Sequence, residues 1–150
     1  MAITFGTRAA LANISRVASA TTTQAHTFGE IDNSSGLHAY NIHMILPIHA
    51  SATAGSYDIY LVESQNGTEW TDDIDPTVDT GDVAGKISDA RFMASASTVY
   101  DATDRTFAEI HFTVPGMSTA QYFGFVVVND SGQTAPASGE DGDSQSYTLA

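Results

Sequence analysis

Ala39-Tyr-Asn-Ile-His-Met-Ile-Leu-Pro-Ile-His49 places Tyr40, Ile42, Met44, Leu46 and Ile48 at every second position, with Asn41, His43, Pro47 and His49 between them. An apolar period of two belongs to a strand with one buried and one wet face, because successive side chains of an extended backbone leave on opposite sides. Pro47 has no amide hydrogen for a ladder, so this strand is expected to end, bulge or lie at an edge there. After the turn-like Ser51-Ala-Thr-Ala-Gly55, the alternation of Tyr57, Ile59 and Leu61 over 56–64 predicts a second strand, paired antiparallel with the first.

Working outward, Asn66-Gly67 is a turn signal, and Trp70 is expected to return to the core. An acidic loop follows over 71–85. Residues 86–94 and 97–101 are short strand candidates, and 106–114 alternates Ala108, Ile110, Phe112 and Val114 with Phe107, Glu109, His111 and Thr113. Pro115-Gly116 and Asn129-Asp-Ser-Gly132 mark turns. Between them, Gln121-Tyr-Phe-Gly-Phe-Val-Val-Val-Asn129 is apolar on both faces, which predicts a central strand covered on both sides. Residues 133–143 read as loop and 145–149 as a closing strand. Residues 1–35 are rich in Ala, Ser and Thr, with Leu11, Ile14 and Val17 at a weak helical spacing. They read as an extended N-terminal arm and first edge segment, ahead of a sandwich over 36–150. Seven or eight short strands separated by turns point to an all-β fold, an antiparallel β-sandwich of jelly-roll or immunoglobulin-like kind.

Composition agrees. Ser and Thr number 33 of 150 residues, and only 15% are charged, below the roughly 25% of ordinary globular chains. That suits strand faces and turns better than the charged surface of exposed helices. Eighteen acids against five Lys and Arg give a net charge of −13, which repels polyanions and argues against nucleic acid or an anionic membrane as partner. The cations Arg8 and Arg16 fall in the first 29 residues, whereas the acids begin at Glu30. The absence of cysteine excludes disulfides, thiolate metal sites and Cys nucleophiles. No stretch has the length of a membrane-spanning apolar run, and the N-terminus lacks a signal-peptide pattern, so the protein is expected to fold in the cytoplasm or to leave it by a route that needs no such signal.

Catalytic patterns are missing. His26, His38, His43, His49 and His111 form no recognised pair, and His43 and His49 lie roughly 20 Å apart along one strand, so all five are expected as ordinary polar-face residues. No Gly-x-Ser-x-Gly or phosphate-binding glycine motif occurs. Carboxylate pairs from Asp58, Glu63 or Glu109 are inevitable among eighteen acids, which removes their weight. Tyr57, Tyr60, Trp70, Tyr100, Tyr122 and Tyr147 could line a carbohydrate platform, but core packing is expected to claim most of them. Calcium is the one cofactor the pattern suggests. Asp72, Asp73, Asp75, Asp79 and Asp82 put hard oxygen ligands on one loop, without the spacing of an EF-hand.

Ser56 to Trp70, Asp72 to Pro76 and Gln121 to Gly132 resemble small virion proteins encoded among the head and tail genes of tailed bacteriophages, in a strand like Asp-Ile-Tyr-Leu, an Asn-Gly-Thr turn with Trp, and a late Val-Val-Val-Asn strand. The resemblance implies a capsid decoration, or cement, protein. Such a protein would do no chemistry, assemble as a homotrimer in the host cytoplasm, and bind the major capsid protein on the outer surface of the virion head. Under that reading Thr4, Phe5, Arg8, Leu11, Ile14, Arg16 and Val17 would form a capsid-binding arm. A tail, neck or tail-tube structural protein and a tail-associated carbohydrate- or receptor-binding module are the alternatives, with a hydrolase behind them.

Overall fold

A computed structural model describes residues 2–34, 38–115 and 121–149. Strands form at Ile3–Ala10 (β1), Ala25–Asp32 (β2), Ala39–Pro47 (β3), Ser56–Ser64 (β4), Arg91–Ser97 (β5), Phe107–Val114 (β6), Tyr122–Asn129 (β7) and Asp141–Leu149 (β8), with 3-10 turns at Ile14–Val17, Thr71–Asp73 and Ala84–Lys86. They make two antiparallel sheets, a first ordered β1-β8-β3-β6 and a second ordered β2-β7-β4-β5. The pairs β1·β8, β2·β7, β3·β6 and β4·β5 are the successive rungs of one long double ribbon wound around a core, and β3·β8 and β4·β7 complete the sheets. That winding is a jelly roll, which decides between the two sandwich types.

The winding overturns one expectation. β3 and β4 do not pair. They lie in opposite sheets, because residues 48–55 cross from one sheet to the other, and the Tyr57 hydroxyl donates to the Pro47 carbonyl across that crossing at 2.8 Å. The two short candidates at 86–94 and 97–101 resolve into the single strand β5, since 84–86 forms a 3-10 turn, and β8 begins at Asp141 rather than at 145. Gly116, the second residue of the expected Pro115-Gly116 turn, lies outside the described residues.

The boundary at 35/36 does not separate an arm from a sandwich. β1 is an edge strand of the first sheet and β2 an edge strand of the second. Leu11 and Val17, between them, are buried in the core, with Ile14 packed against it. Burying Leu11 and Val17 removes apolar surface that a free arm would leave in water, and the β1·β8 ladder satisfies backbone groups that the arm would expose. The register of β2 shifts between Phe28 and Ile31, where Gly29 has φ +72° and an added Cβ would press on Phe125.

The main core fills the space between the sheets with Phe28, Ile42, Met44, Leu46, Tyr57, Ile59, Leu61, Ile110, Phe123 and Phe125. β7 is the most buried strand and is covered on both faces, as its sequence predicts. Its outer cover is the acidic connection between β4 and β5. There Trp70, Ile74 and Val83 pack with Val62, Ala25 and Val126 in a second buried cluster, and Pro76 sits on Gly124, where any Cβ would collide with its ring. The same connection masks the free edge of β2, since Val83 N–H donates to Ala25 O (2.8 Å) and Asp82 accepts from Ala25 N–H (2.9 Å). The second sheet is thus covered outside, while the first presents its outer face to solvent.

Candidate functional site

On the open face of the first sheet, strand alternation sends Ile42, Met44, Ala108 and Ile110 inward, and their neighbours His43, Glu109 and His111 outward. The register then sets Asp143 of β8, His43 of β3 and His111 of β6 in one row, because His43 lies opposite Asp143 on one side and His111 on the other. The imidazoles of His43 and His111 stack at 4.3 Å between centroids and 16° between planes. Glu109, two residues before His111 and so on the same face, brings Oε1 to 3.0 Å from the Nε2 of each histidine. These contacts, led by that with His111, hold the Glu109 carboxyl below its ordinary pKa. Asp143 Oδ2 stands 3.7 Å from His43 Nδ1, and Arg8 of β1 grips the same carboxylate at 2.9 and 3.0 Å. The result is a charged line running across all four strands of the sheet, with His43, Glu109 and His111 as its concentrated end.

The expected calcium ligands do not converge. Asp72 accepts from the N–H groups of Ser88, Asp89 and Ala90 and from the Ser88 hydroxyl. Asp75 caps Thr77, Asp79 pairs with Lys86 at 3.1 Å, and Asp82 accepts from Ala25 and Ala84. Asp73 is exposed and contributes its carbonyl to Lys86. Each carboxylate except that of Asp73 serves a different part of the loop, and among the described residues only His43, Glu109 and His111 gather three potential ligand atoms at metal-binding spacing.

The seven arm residues divide. Thr4, Phe5 and Arg8 are exposed on β1, with Phe5 resting 6.2 Å from the Tyr147 ring. Leu11 and Val17 are core. The Arg16 guanidinium donates to the carbonyls of Pro76 (2.7 Å), Asp79 (3.2 Å) and Thr77 (3.2 Å), so it fastens the acidic connection instead of meeting a partner. The carboxylates Asp58 and Glu63 belong to the second sheet and Glu109 to the first, and Asp58 is engaged by the hydroxyls of Ser56 and Ser95. Tyr57 and Trp70 are buried and Tyr60 packs edge-on against Phe92, so the six aromatics do not form a shared platform. A cleft of about 290 Å³ between β1 and β2 contains Glu30 and Tyr40. Burial, followed by Asp75 and Asp32, raises the Glu30 pKa.

Large apolar side chains are exposed on the edge strands and at Val78 and Val99 in the connections before and after β5. Ile3 and Phe5 on β1, Phe92 on β5 and Phe107 on β6 are each about half exposed, and β1 is exposed along its whole length. No known family model matches the chain, and no curated protein matches it in sequence.

Proposed function

We propose that the protein is a non-catalytic structural component of a tailed-phage virion, a decoration protein that binds the major capsid protein on the outside of the head and assembles there as a homotrimer. The observation that carries the reading is the free edge of β1, a strand with unpaired backbone groups on one side and Ile3 and Phe5 exposed upon it. An edge of this kind accepts another strand by β-augmentation, and two half-exposed apolar side chains add contact area. The edge of β2 is partly covered by the acidic connection at Ala25, and among the edge strands β1 carries two half-exposed large apolar side chains where β5 and β6 carry one each. The resemblance of 56–70, 72–76 and 121–132 to virion proteins supplies the setting. Mechanically, added lattice contacts would oppose internal pressure without any reaction.

The test is co-sedimentation of the purified chain with decoration-free heads of the phage that encodes it, followed by thermal breakage of the particles. Binding at many copies per head and a higher breakage temperature are expected, with both lost in Ile3→Asp/Phe5→Asp. Absence of binding, undiminished binding by that variant, or a few copies confined to a tail would overturn the reading.

A further inference from the structure

The geometry points to a binding site for one zinc-class divalent cation on the open face of the first sheet, with His43, His111 and Glu109 as ligands. Two imidazole nitrogens and a carboxylate oxygen form a mixed nitrogen–oxygen donor set suited to zinc, whereas calcium and magnesium take oxygen. Potential ligand atoms of the three residues all lie within 4.8 Å of one another, and Glu109 Oε1 is 3.0 Å from both Nε2 atoms. Donors on a tetrahedral zinc ion with ordinary bond lengths stand roughly 3.3 Å apart. An ion would take the place of the Glu109–histidine hydrogen bonds once the two imidazoles turn out of their near-parallel stack so that both Nε2 lone pairs point at it, a side-chain rearrangement that leaves the β3·β6 ladder in place.

Two further features support the assignment. The histidines face each other across a continuous β3·β6 ladder running from Tyr40↔Val114 to Pro47↔Phe107, so their separation is set by backbone pairing rather than by a loop. Beyond them, the Asp143 carboxylate faces His43 Nδ1 at 3.7 Å and is itself held by Arg8. A carboxylate on that side favours the tautomer with the proton on Nδ1, which leaves the Nε2 lone pair for the ion. Among the described residues the ion pairs of Glu109 are with these two histidines alone, so no Lys or Arg competes with a cation for it. Side-chain exposures of 53% for Glu109 and 64% for His111 leave the fourth position open to water or to a donor from another molecule. A bound ion would fasten the edge strand β6 to β3. The site does not depend on the head-binding proposal, since its residues lie on the sheet face and not on the β1 edge.

Calorimetric titration of the chelator-stripped chain with zinc chloride near neutral pH tests the site. One equivalent is expected to bind, with millimolar magnesium or calcium failing to displace it, and cobalt(II) should give the visible bands of a tetrahedral nitrogen–oxygen site. His43→Gln/His111→Gln should abolish uptake, and Asp143→Asn should weaken it about tenfold, as loss of an orienting partner does. Glu109→Gln keeps the shape and must also weaken binding, which guards against a histidine variant that misfolds. No saturable zinc uptake by the folded wild-type chain, or undiminished uptake in either the double variant or Glu109→Gln, would overturn the assignment.

Discussion

Arg16 shows how far one residue can depart from its local setting. It stands in a stretch whose small polar residues read as a loose arm, yet its guanidinium ties the carbonyls of Pro76, Thr77 and Asp79 and reaches Thr27 Oγ1 at 3.3 Å. Carbonyls half-removed from water lose their partners if the fork is removed, so Arg16→Met is expected to cost roughly 2 kcal/mol, the scale of hydrogen bonds to a charged group. Arg16→Lys should recover only part, because a point charge cannot serve several carbonyls in one plane. Urea unfolding should show a lower midpoint at unchanged slope, with faster amide exchange over 75–83, and an unchanged midpoint would contradict the role. The histidines teach the complementary lesson. His43, Glu109 and His111 are each legible as wet-face residues from alternation alone, but their meeting depends on the β3·β6 register, which no single strand encodes. His26, placed on the polar face by the same reasoning, instead has both ring nitrogens buried without a partner among the described residues, and burial lowers its pKa despite the nearby Asp82.

Strands were legible where their periods were strong. The alternation of 39–49 and 56–64 locates β3 and β4, and the two-sided apolar run of 121–129 locates β7 together with the fact that something must cover its outer face. Pairing was not legible, because in a wound double ribbon consecutive strands mostly fall in opposite sheets, and only β4 and β5 are neighbours both in sequence and in a sheet. The role of the acidic connection was hidden for a related reason. Its apolar residues Ile74 and Val83 are too sparse for a period, and its carboxylates act as anchors for backbone N–H groups. Asp72 is the clearest anchor. Burial pushes its carboxyl up, but hydrogen bonds from Ser88, Ala90 and Asp89 together outweigh burial and hold its pKa below the ordinary value. A depressed carboxyl stabilises the fold above the unfolded pKa near ~4 and loses that contribution as pH falls through the lower folded value. Asp72→Ala should therefore cost about 1–3 kcal/mol at neutral pH, with the wild-type and variant stability curves converging only in strong acid. A constant gap maintained into strong acid would show that Asp72 acts by shape rather than charge.

For the whole molecule, charge imbalance decides the response to salt. Against eighteen acids stand five Lys and Arg, and Arg8, Lys86 and Arg91 are already committed to surface pairs with Asp143, Asp79 and Glu63. Screening weakens those pairs, but exposed pairs contribute at most about 1 kcal/mol each and often nothing measurable. The same screening relieves the mutual repulsion of thirteen uncompensated negative charges, a term that grows with net charge and reaches across the sandwich at low ionic strength. Repulsion is the larger effect. At pH 7, with a chelator present to remove metal, raising sodium chloride from about 0.02 to about 0.5 M, which cuts the screening length several-fold, should raise Tm. A gain of ~1 kcal/mol would appear as about 3 °C for a chain of this size. Near the isoelectric point of about 4.3 the net charge vanishes and only the favourable pairs remain to be screened, so the same addition should leave Tm unchanged or lower it slightly. Scanning calorimetry at the two pH values separates the terms. A fall in Tm with salt at pH 7 would mean that the paired residues, and not the net charge, govern the electrostatics of the fold.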